Sequence, residues 1–162
     1  MKTLLIMRHG KSSWSDPGLS DDERPLKQRG RDAAERIGHE AKARGLVPDR
    51  IVSSKAKRAR QTARLFAEAS GFDGSIEKTG RLYFTGLKKH LKVINEQPDT
   101  VERLMIVGHD PDLEDLVHAL LGEHIALPTG TLVALAWPGE HWADLGRGKC
   151  AVQVVIRPRE LA

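Results

Sequence analysis

The sequence predicts an α/β protein with three layers, in which a mostly parallel, mixed sheet lies between two layers of helices. Three observations support this α/β/α sandwich. Short apolar runs bounded by turn residues recur along the chain, as expected of buried strands, and segments with an apolar period of about 3.6 residues follow them. The two kinds of segment alternate as far as residue 121. Such alternation requires right-handed crossovers between parallel strands.

The first predicted strand covers residues 3–7 and stops at Arg8-His9-Gly10. An uninterrupted apolar run is typical of a parallel strand that is covered on both faces. A polar loop over residues 11–24 comes next, and a helix begins after Pro25 and ends at Gly45. The inward face of this helix repeats at helical spacing and consists of Leu26, Gly30, Ala33, Ala34, Ile37 and Ala41.

A brief second strand covers residues 50–53. Ser53 and Ser54 are predicted to turn the chain and to cap the next helix, because serine hydroxyls accept hydrogen bonds from the first backbone N–H groups of a helix. That helix ends before Gly71, and its inward residues are Ala59, Thr62, Ala63, Phe66 and Ala67. Residues 75–78 form a weak third strand.

A third helix begins near Leu87, carries Leu91 and Ile94 inward and ends at Pro98. Residues 104–107 form a clear fourth strand, which ends in Gly108-His109.

Asp110-Pro111 predicts an N-cap followed by proline at the first helical position. The fourth helix has the clearest apolar stripe in the chain, formed by Leu113, Leu116, Val117, Leu120 and Leu121. Residues 131–137 and 151–156 are β-rich and complete the sheet.

Length and composition indicate a single domain over residues 1–162. The only cysteine, Cys150, excludes an internal disulfide and suits a reducing compartment, and it is expected to be a small buried hydrophobic residue. The first apolar run is too short for the core of a signal peptide, and no run reaches the length of a membrane span. These features predict a cytoplasmic protein with no membrane association.

The net charge of +4 raises the question of a nucleic-acid partner. The basic residues, however, are scattered over several predicted helices, and no aromatic residues are interleaved with them for base stacking. We therefore expect no nucleic-acid partner. A modest positive charge attracts phosphorylated substrates equally well.

Three of the predicted strand ends carry polar residues suited to binding an anion. The first presents Arg8 and His9, the second presents Ser53, Ser54 and Arg58, and the fourth presents Gly108 and His109. Because parallel strands bring their carboxyl ends to one edge of the sheet, we expect these side chains to converge. Two arginines, two histidines and nearby helix N-termini describe a site for a tetrahedral dianion.

Each of these residues also has a structural interpretation. A lone histidine is more often a satisfied structural group than a catalyst, and Arg8 alone would be a surface cation. Arg58 stands among four further basic residues, Lys55, Lys57, Arg60 and Arg64, which is typical of a solvated helix face. It is the convergence of these residues that favours a functional site.

The strand-end residues resemble the three signatures of the histidine phosphatase superfamily, the phosphoglycerate mutase-like group. The signatures are Arg8-His9-Gly10, Arg58-Ala59-Arg60-Gln61-Thr62-Ala63 and Val107-Gly108-His109. Four further segments are similar to the small phosphohistidine phosphatase branch: His9-Gly10-Lys11-Ser12-Ser13-Trp14, Arg24-Pro25-Leu26 followed by Arg29-Gly30, Leu46-Val47-Pro48-Asp49, and Gly108-His109-Asp110-Pro111 with Leu113-Glu114. The resemblance covers nearly the whole chain.

The resemblance implies a role for each matched residue. His9 is then the nucleophile that becomes a transient phosphohistidine, and Arg8, Arg58 and His109 hold the phosphate oxygens. Gly10 permits close approach of the backbone. Only a neutral imidazole has a lone pair for attack, and we expect the charges of the two arginines to keep His9 neutral.

Lys11, Ser12 and Asp110 flank this site and are candidate substrate contacts. The resemblance implies no metal and no organic cofactor. The implied partner is a protein that carries phosphohistidine, or a small phosphorylated molecule, and the short chain is compatible with a monomer.

The chain departs from the family pattern at three places. Larger members often carry a glutamate where Phe84 stands here, and that glutamate protonates a poor leaving group. Its absence favours phosphohistidine as substrate, since imidazole leaves more easily than an alkoxide. Asp110 replaces a common asparagine and is either a substitute acid or a helix cap. Ser54-Lys55-Ala56 replaces a common serine-proline, which leaves the shape of that turn open.

Three alternatives remain open from the sequence. A small-molecule phosphomonoesterase of the same superfamily fits the same motifs, and a non-catalytic phosphate- or phosphohistidine-binding module would also keep this pocket. A metal-dependent hydrolase is suggested by the cluster of His109, Asp110, Asp112, His118 and His124. That cluster has no His-x-x-x-His pair, and His118 is expected to face solvent.

Overall fold

The computed structural model describes residues 1–161, which form six strands and four α-helices. The strands are β1 (Lys2–Arg8), β2 (Arg50–Ser54), β3 (Ile76–Thr79), β4 (Arg103–Gly108), β5 (Leu132–Trp137) and β6 (Ala151–Ile156). The helices are α1 (Gln28–Ala43), α2 (Lys57–Ser70), α3 (Leu87–Asn95) and α4 (Asp112–Leu121). Every predicted strand and helix is present, with small differences at the boundaries.

The strands lie in the order β3-β2-β4-β1-β5-β6. The first four of these are parallel, while β5 runs antiparallel to both of its neighbours. The sheet is therefore mixed and mostly parallel, as the alternation of strands and helices predicts. Within residues 1–161, no helix is long and apolar enough to cross a membrane.

Alternate residues of the central strands enter two separate hydrophobic cores. On β1, Leu4 and Ile6 face the core that includes α3 and α4, whereas Leu5 and Met7 face the core that includes α1 and α2. Each core is closed by the apolar stripe of its helices. The three-layer arrangement predicted from the sequence is confirmed, and Cys150 is buried in the first core as expected.

The predicted caps of two helices differ from the structure. The N-cap of α2 is Ala56 and makes no side-chain hydrogen bond. The Ser54 hydroxyl accepts a bond from the Ala56 N–H at 3.2 Å, so Ser54 supports the turn, but its cap role was predicted wrongly. Ser54 instead extends β2 and contacts a residue of a neighbouring strand end.

The start of α4 also lies later than predicted. Pro111 occupies the N-cap rather than the first helical position, and it follows a cis peptide bond from Asp110. Asp110 nevertheless accepts a hydrogen bond from the Glu114 N–H at 3.1 Å, which satisfies one backbone donor of the first turn. Asp110 therefore caps a backbone N–H of α4 as predicted, but it does so from the residue before the N-cap.

The register of the sheet brings three strand ends together. Arg8 at the end of β1 lies beside Gly108 at the end of β4, and Ser53 of β2 lies beside Val107 of the same strand. The His9 N–H donates to the Gly108 carbonyl at 3.1 Å, which continues the pairing one residue beyond β1. Side chains that follow these strands therefore reach a common edge.

Candidate active site

A cavity of about 530 Å³ lies at the carboxyl edge of the parallel strands. Seven of the eight residues predicted for the site line this cavity: Arg8, His9, Lys11, Ser12, Arg58, His109 and Asp110. Gly10 is not among the lining residues. A Cβ atom on Gly10 would lie 2.6 Å from the Gly30 carbonyl oxygen, so the close packing of the chain on α1 accounts for this glycine.

His9 lies one residue beyond β1 and is almost completely buried. Its Nδ1 is 2.7 Å from the Gly10 carbonyl oxygen, and because a carbonyl only accepts, the ring proton is on Nδ1. The lone pair of the neutral ring is therefore on Nε2. The Arg58 Nε–H approaches that atom at 3.4 Å, so Nε2 faces the guanidinium of the predicted phosphate site.

His109 lies one residue beyond β4, with its ring centroid 5.0 Å from that of His9. Its Nε2 is 2.8 Å from the Ser54 hydroxyl. That hydroxyl accepts the Ala56 N–H, and donation of its own proton to Nε2 is the arrangement that leaves the ring proton of His109 on Nδ1. This Nδ1 is buried and has no hydrogen-bond partner within residues 1–161.

The two arginines differ in how their donors are used. Arg8 donates from one terminal nitrogen to the Leu127 carbonyl at 2.8 Å, while its buried Nε has no partner in the described part of the chain. Arg58 donates to the backbone carbonyl of Asp21 at 2.7 Å and to its carboxylate at 3.0 Å. Each guanidinium keeps free N–H groups, because arginine has five donors.

Sequence reasoning missed Asp21, which lies in a short 3-10 helix over the cavity. Its carboxylate receives hydrogen bonds from Arg58, from Arg24 at 3.0 Å and from the Tyr83 hydroxyl at 2.5 Å. Burial opposes ionisation of Asp21, but the bonds from Tyr83 and Arg58 lower its pKa to about 2. Asp21 thus holds the guanidinium of Arg58 in place. The sequence around Asp21 has no pattern that would indicate this role.

Arg24 holds the loop over residues 11–24, a role that the motif Arg24-Pro25-Leu26 did not reveal in the sequence. Arg24 donates to the Ser12 hydroxyl at 2.6 Å and to the Ser13 carbonyl at 3.0 Å, and its guanidinium lies over the Trp14 ring. Ser12 is consequently held by Arg24 at the cavity wall. Lys11 lies at the wall of the same cavity, and its side chain is exposed.

Phe84, which stands where the resemblance implies a glutamate in larger members, packs on His109. The two rings are stacked with centroids 4.7 Å apart, and Phe84 adopts a φ of 54°, which is uncommon for a bulky residue. Tyr83 meets the His109 ring edge-on at 5.4 Å. The Phe84 position therefore supplies an apolar wall to the cavity.

Both histidines are held neutral. Burial, opposed by the bond to Gly10 and assisted by Arg58 and Arg8, lowers the pKa of His9 to about 4. Burial, with the neighbouring His9 and Arg58, lowers the pKa of His109 to about 2. The predicted neutrality of His9 is supported, although desolvation is the larger cause and the arginine charges are the smaller one.

Asp110 is the one carboxyl group of the cavity with a raised pKa. Burial, together with its hydrogen-bonded neighbour Glu114, raises the pKa of Asp110 to about 7. The same hydrogen bond with Asp110 lowers the pKa of Glu114. The Glu114 carboxylate also contacts Nε2 of His124 at 2.7 Å and accepts the Leu127 N–H at 3.1 Å. Near neutral pH, Asp110 is therefore only partly ionised, and its carboxyl lies 3.6 Å from a terminal nitrogen of Arg8.

These shifts predict the pH behaviour of His9. Because its pKa is about 4, raising the pH through 4 removes the proton, and the ring stays neutral from pH 5 upwards. An unfolded histidine still binds a proton below about 6.5, so His9 makes the fold less stable as the pH falls from 6.5 to 4. We expect the His9 ring signals in an NMR titration to show no transition between pH 5 and pH 8.

His141 supplies the internal control for that titration, because its hydrogen bond to Asp99 raises its pKa. Its signals are expected to titrate in the same spectra. A His9 midpoint near the value of a free imidazole would contradict the assignment of His9 as a neutral buried base.

The residues of the alternative metal site do not come together. Of that cluster, His109 and Asp110 line the cavity, while His118 is exposed as predicted and His124 pairs with Glu114. Among residues 1–161, no three His, Cys, Asp or Glu side chains are arranged to hold a metal ion.

Comparison with known proteins agrees with the resemblance read from the motifs. Residues 4–83 match the family described as the histidine phosphatase superfamily, branch 1. An uncharacterised protein of Mycobacterium tuberculosis is 34% identical over 159 residues, which cover 91% of this chain and 96% of that protein. A Citrobacter koseri protein assigned as phosphoglycerate mutase GpmB is 29% identical over 172 residues, which cover 96% of this chain and 75% of that protein. The chain belongs to the histidine phosphatase superfamily.

Two solved structures assigned as SixA share the fold of this chain over nearly its whole length. A protein assigned as the phosphohistidine phosphatase SixA of Agrobacterium tumefaciens has a TM-score of 0.84 and 28% identity, with 97% of this chain and 98% of that chain covered. One assigned as SixA of Nakamurella multipartitia has a TM-score of 0.82 and 27% identity, with 97% and 96% covered. Together with the family match, these SixA structures support a phosphatase activity for this chain.

Proposed function

We propose that this protein is a metal-independent phosphatase that removes phosphoryl groups from phosphohistidine in proteins, through a phosphohistidine intermediate on His9. The observation that carries the proposal is the geometry of His9. Its Nδ1–H is held by the Gly10 carbonyl, and its Nε2 lone pair faces the guanidinium of Arg58. A neutral nucleophile beside fixed cations is the arrangement that phosphoryl transfer to a histidine requires.

In the first step, His9 Nε2 attacks phosphorus in line with the bond to the leaving group. The new P–N bond forms as the old one breaks, and the electron pair of the old bond becomes the lone pair of the leaving nitrogen. The substrate ring leaves as neutral imidazole because its other nitrogen has taken a proton from solvent. Arg8 Nε, the free N–H groups of Arg58 and His109 Nδ1–H are donors for the three equatorial oxygens. Ser54 supports the last of these by holding the tautomer of His109.

In the second step, water attacks the phosphorus of phosphorylated His9. The P–Nε2 bond breaks, its electron pair returns to the ring, and the proton of the water passes to solvent. The same donors stabilise the charge that develops on the oxygens. No metal enters this scheme, because the arginines supply the positive charge, and activity in the presence of a chelator tests this point.

The wall at Phe84 supports phosphohistidine rather than an ordinary phosphate ester as the substrate. An alkoxide leaves with difficulty unless an acid protonates it, and in larger relatives the glutamate at this place has that role. Here an aromatic ring stacks on His109 instead. Substrates with a good leaving group, such as imidazole, need no such acid.

The test compares a phosphohistidine-containing protein with a phosphoserine peptide at equal concentration. We expect faster turnover of the phosphohistidine protein, unchanged by a chelator and blocked by vanadate. With p-nitrophenyl phosphate we expect a burst of nitrophenol and an acid-labile phosphoenzyme. A clear preference for phosphoserine would contradict the substrate assignment, and the absence of both burst and phosphoenzyme would identify a binding module.

One observation favours the alternative, a small-molecule phosphomonoesterase: the raised pKa of Asp110 leaves part of this carboxyl protonated at neutral pH, beside Arg8 at the cavity wall. If Asp110 protonates the leaving group, Asp110→Asn will slow substrates in proportion to the basicity of that group. We expect a loss of roughly 10²-fold on phenyl phosphate and a much smaller one on p-nitrophenyl phosphate. Asparagine keeps an oxygen for the Glu114 N–H, so the start of α4 is preserved. Equal losses on both substrates would leave Asp110 with its capping role alone.

A further inference from the structure

A second cavity, of about 340 Å³, adjoins the candidate active site. Lys11 and Thr129 line both cavities, so the two lie next to each other at this point. The second cavity lies between the solvent-facing side of α1 and the short 3-10 helix Pro158–Glu160 that follows β6. We refer to it as the basic groove.

The basic groove has a strong excess of positive charge. Asp32 is its only acidic lining residue, and it is already engaged by the Gln28 amide at 2.8 Å. The basic lining residues are Lys11, Arg29, Arg36, Arg157 and Arg159. Within the described chain, the only member of this set with a carboxylate oxygen inside 4.0 Å is Arg157, which is 3.7 Å from Glu160.

Surface arginines elsewhere in the protein form ion pairs with nearby glutamates. Arg44, Arg50 and Arg81 pair with Glu40, Glu77 and Glu96, at 2.8, 2.6 and 2.8 Å. In the basic groove, several cations instead share one concave surface, where each raises the potential felt by the others. An anionic ligand relieves this repulsion, so the basic groove is suited to binding one.

The spread of the charges shows what kind of anion fits. Arg29 and Arg36 are seven residues apart on α1, which places them roughly 10 Å apart along the helix axis. Lys11 and Arg159 come from two other segments. A single phosphate spans too short a distance to contact all of them. Carboxylates on successive residues of an extended peptide cover this length, since one residue spans about 3.4 Å.

We propose that the basic groove binds an acidic segment of the protein substrate, next to the phosphohistidine that enters the candidate active site. This inference rests on the proposed function, because it assigns the groove to the same phosphohistidine protein. Because Lys11 and Thr129 line both cavities, the two sites are neighbours, close enough for successive segments of one polypeptide to occupy them.

The first experiment measures binding without catalysis. A fluorescein-labelled, unphosphorylated glutamate-rich peptide is titrated with the protein at low salt, and anisotropy is recorded. We expect binding that Arg29→Glu/Arg36→Glu weakens by about tenfold or more, because two attractive charges become repulsive. The matched control is Lys89→Glu, a charge reversal at an exposed residue of α3 on the opposite side of the sheet, which should leave binding unchanged.

The second experiment measures turnover of two phosphohistidine peptides that differ only in having glutamate or glutamine beside the phosphohistidine. We expect a lower KM for the glutamate peptide than for the glutamine peptide. The double variant should abolish this difference in KM without changing kcat or the turnover of p-nitrophenyl phosphate. Equal KM values for both peptides, with no anisotropy change, would overturn the groove assignment and leave the proposed function intact. Peptide binding without hydrolysis of either phosphopeptide would instead overturn the proposed function, and the basic groove would remain a site for an acidic peptide that is not part of a substrate. Binding of an RNA oligonucleotide in place of the peptide would also overturn the assignment.

Discussion

His9→Ala is expected to reduce kcat for p-nitrophenyl phosphate by roughly 10⁴-fold or more, the scale of loss seen when a covalent nucleophile is removed. The ring of His9 supplies the only lone pair that the proposed first step uses, and Nδ1 is committed to the Gly10 carbonyl. Without it no phosphoenzyme forms. The measurement is steady-state turnover together with trapping of the acid-labile phosphoenzyme, and added imidazole is expected to restore part of the turnover.

His39→Ala is the matched control, since His39 is an exposed histidine of α1 outside the cavity. It should retain full activity and the same phosphoenzyme yield. Circular dichroism of both variants separates a loss of chemistry from a loss of fold. A phosphoenzyme that persists in the His9 variant would mean that another residue is the nucleophile.

Arg58→Ala is expected to lower kcat by roughly 10²-fold or more, by analogy with the loss of a single oxyanion donor. The guanidinium of Arg58 lies against His9 Nε2 and is aimed by Asp21, so it can follow the phosphoryl group as it is transferred. Contacts that strengthen in the transition state affect kcat more than KM. The loss should therefore be larger in kcat than in KM.

Arg64→Ala on the same helix serves as the control, because Arg64 is exposed and does not line the cavity. It is expected to be indistinguishable from the unaltered protein. A tenfold or smaller loss for Arg58→Ala would return Arg58 to the interpretation of a solvated helix face, despite its burial in the structure. Arg58→Lys should recover only part of the activity, since an ammonium cannot donate to Asp21 and to the phosphate in the same fork geometry.

The strand-end residues could be predicted because their signals are local. The apolar run before Arg8 and His9 identifies a buried strand, and the run before His109 identifies another. Arg58 carries a local signal as well, since it stands one turn before Thr62 on the inward stripe of α2, and both are buried. Parallel pairing then places all of these residues at one edge.

The supporting residues could not be predicted in the same way. Ser54 was interpreted by a local capping rule, yet its hydroxyl contacts His109, which is 55 residues away. Asp21 looks like any acidic loop residue, and only folding brings it to Arg58 and Tyr83. Their partners are set by the path of loops across the sheet edge, and no periodic pattern encodes that path.

The amino-acid order alone therefore specified the three layers, the mostly parallel sheet and the place of Arg8, His9, Arg58 and His109, because strand and helix periodicity act over short distances. Protonation and orientation were decided only in three dimensions. Burial keeps both histidines neutral and raises the pKa of Asp110, and contacts between distant segments orient Arg58 and His109. The reason is physical: desolvation and hydrogen-bond geometry depend on what surrounds a group in the folded chain, whatever its neighbours in the sequence are.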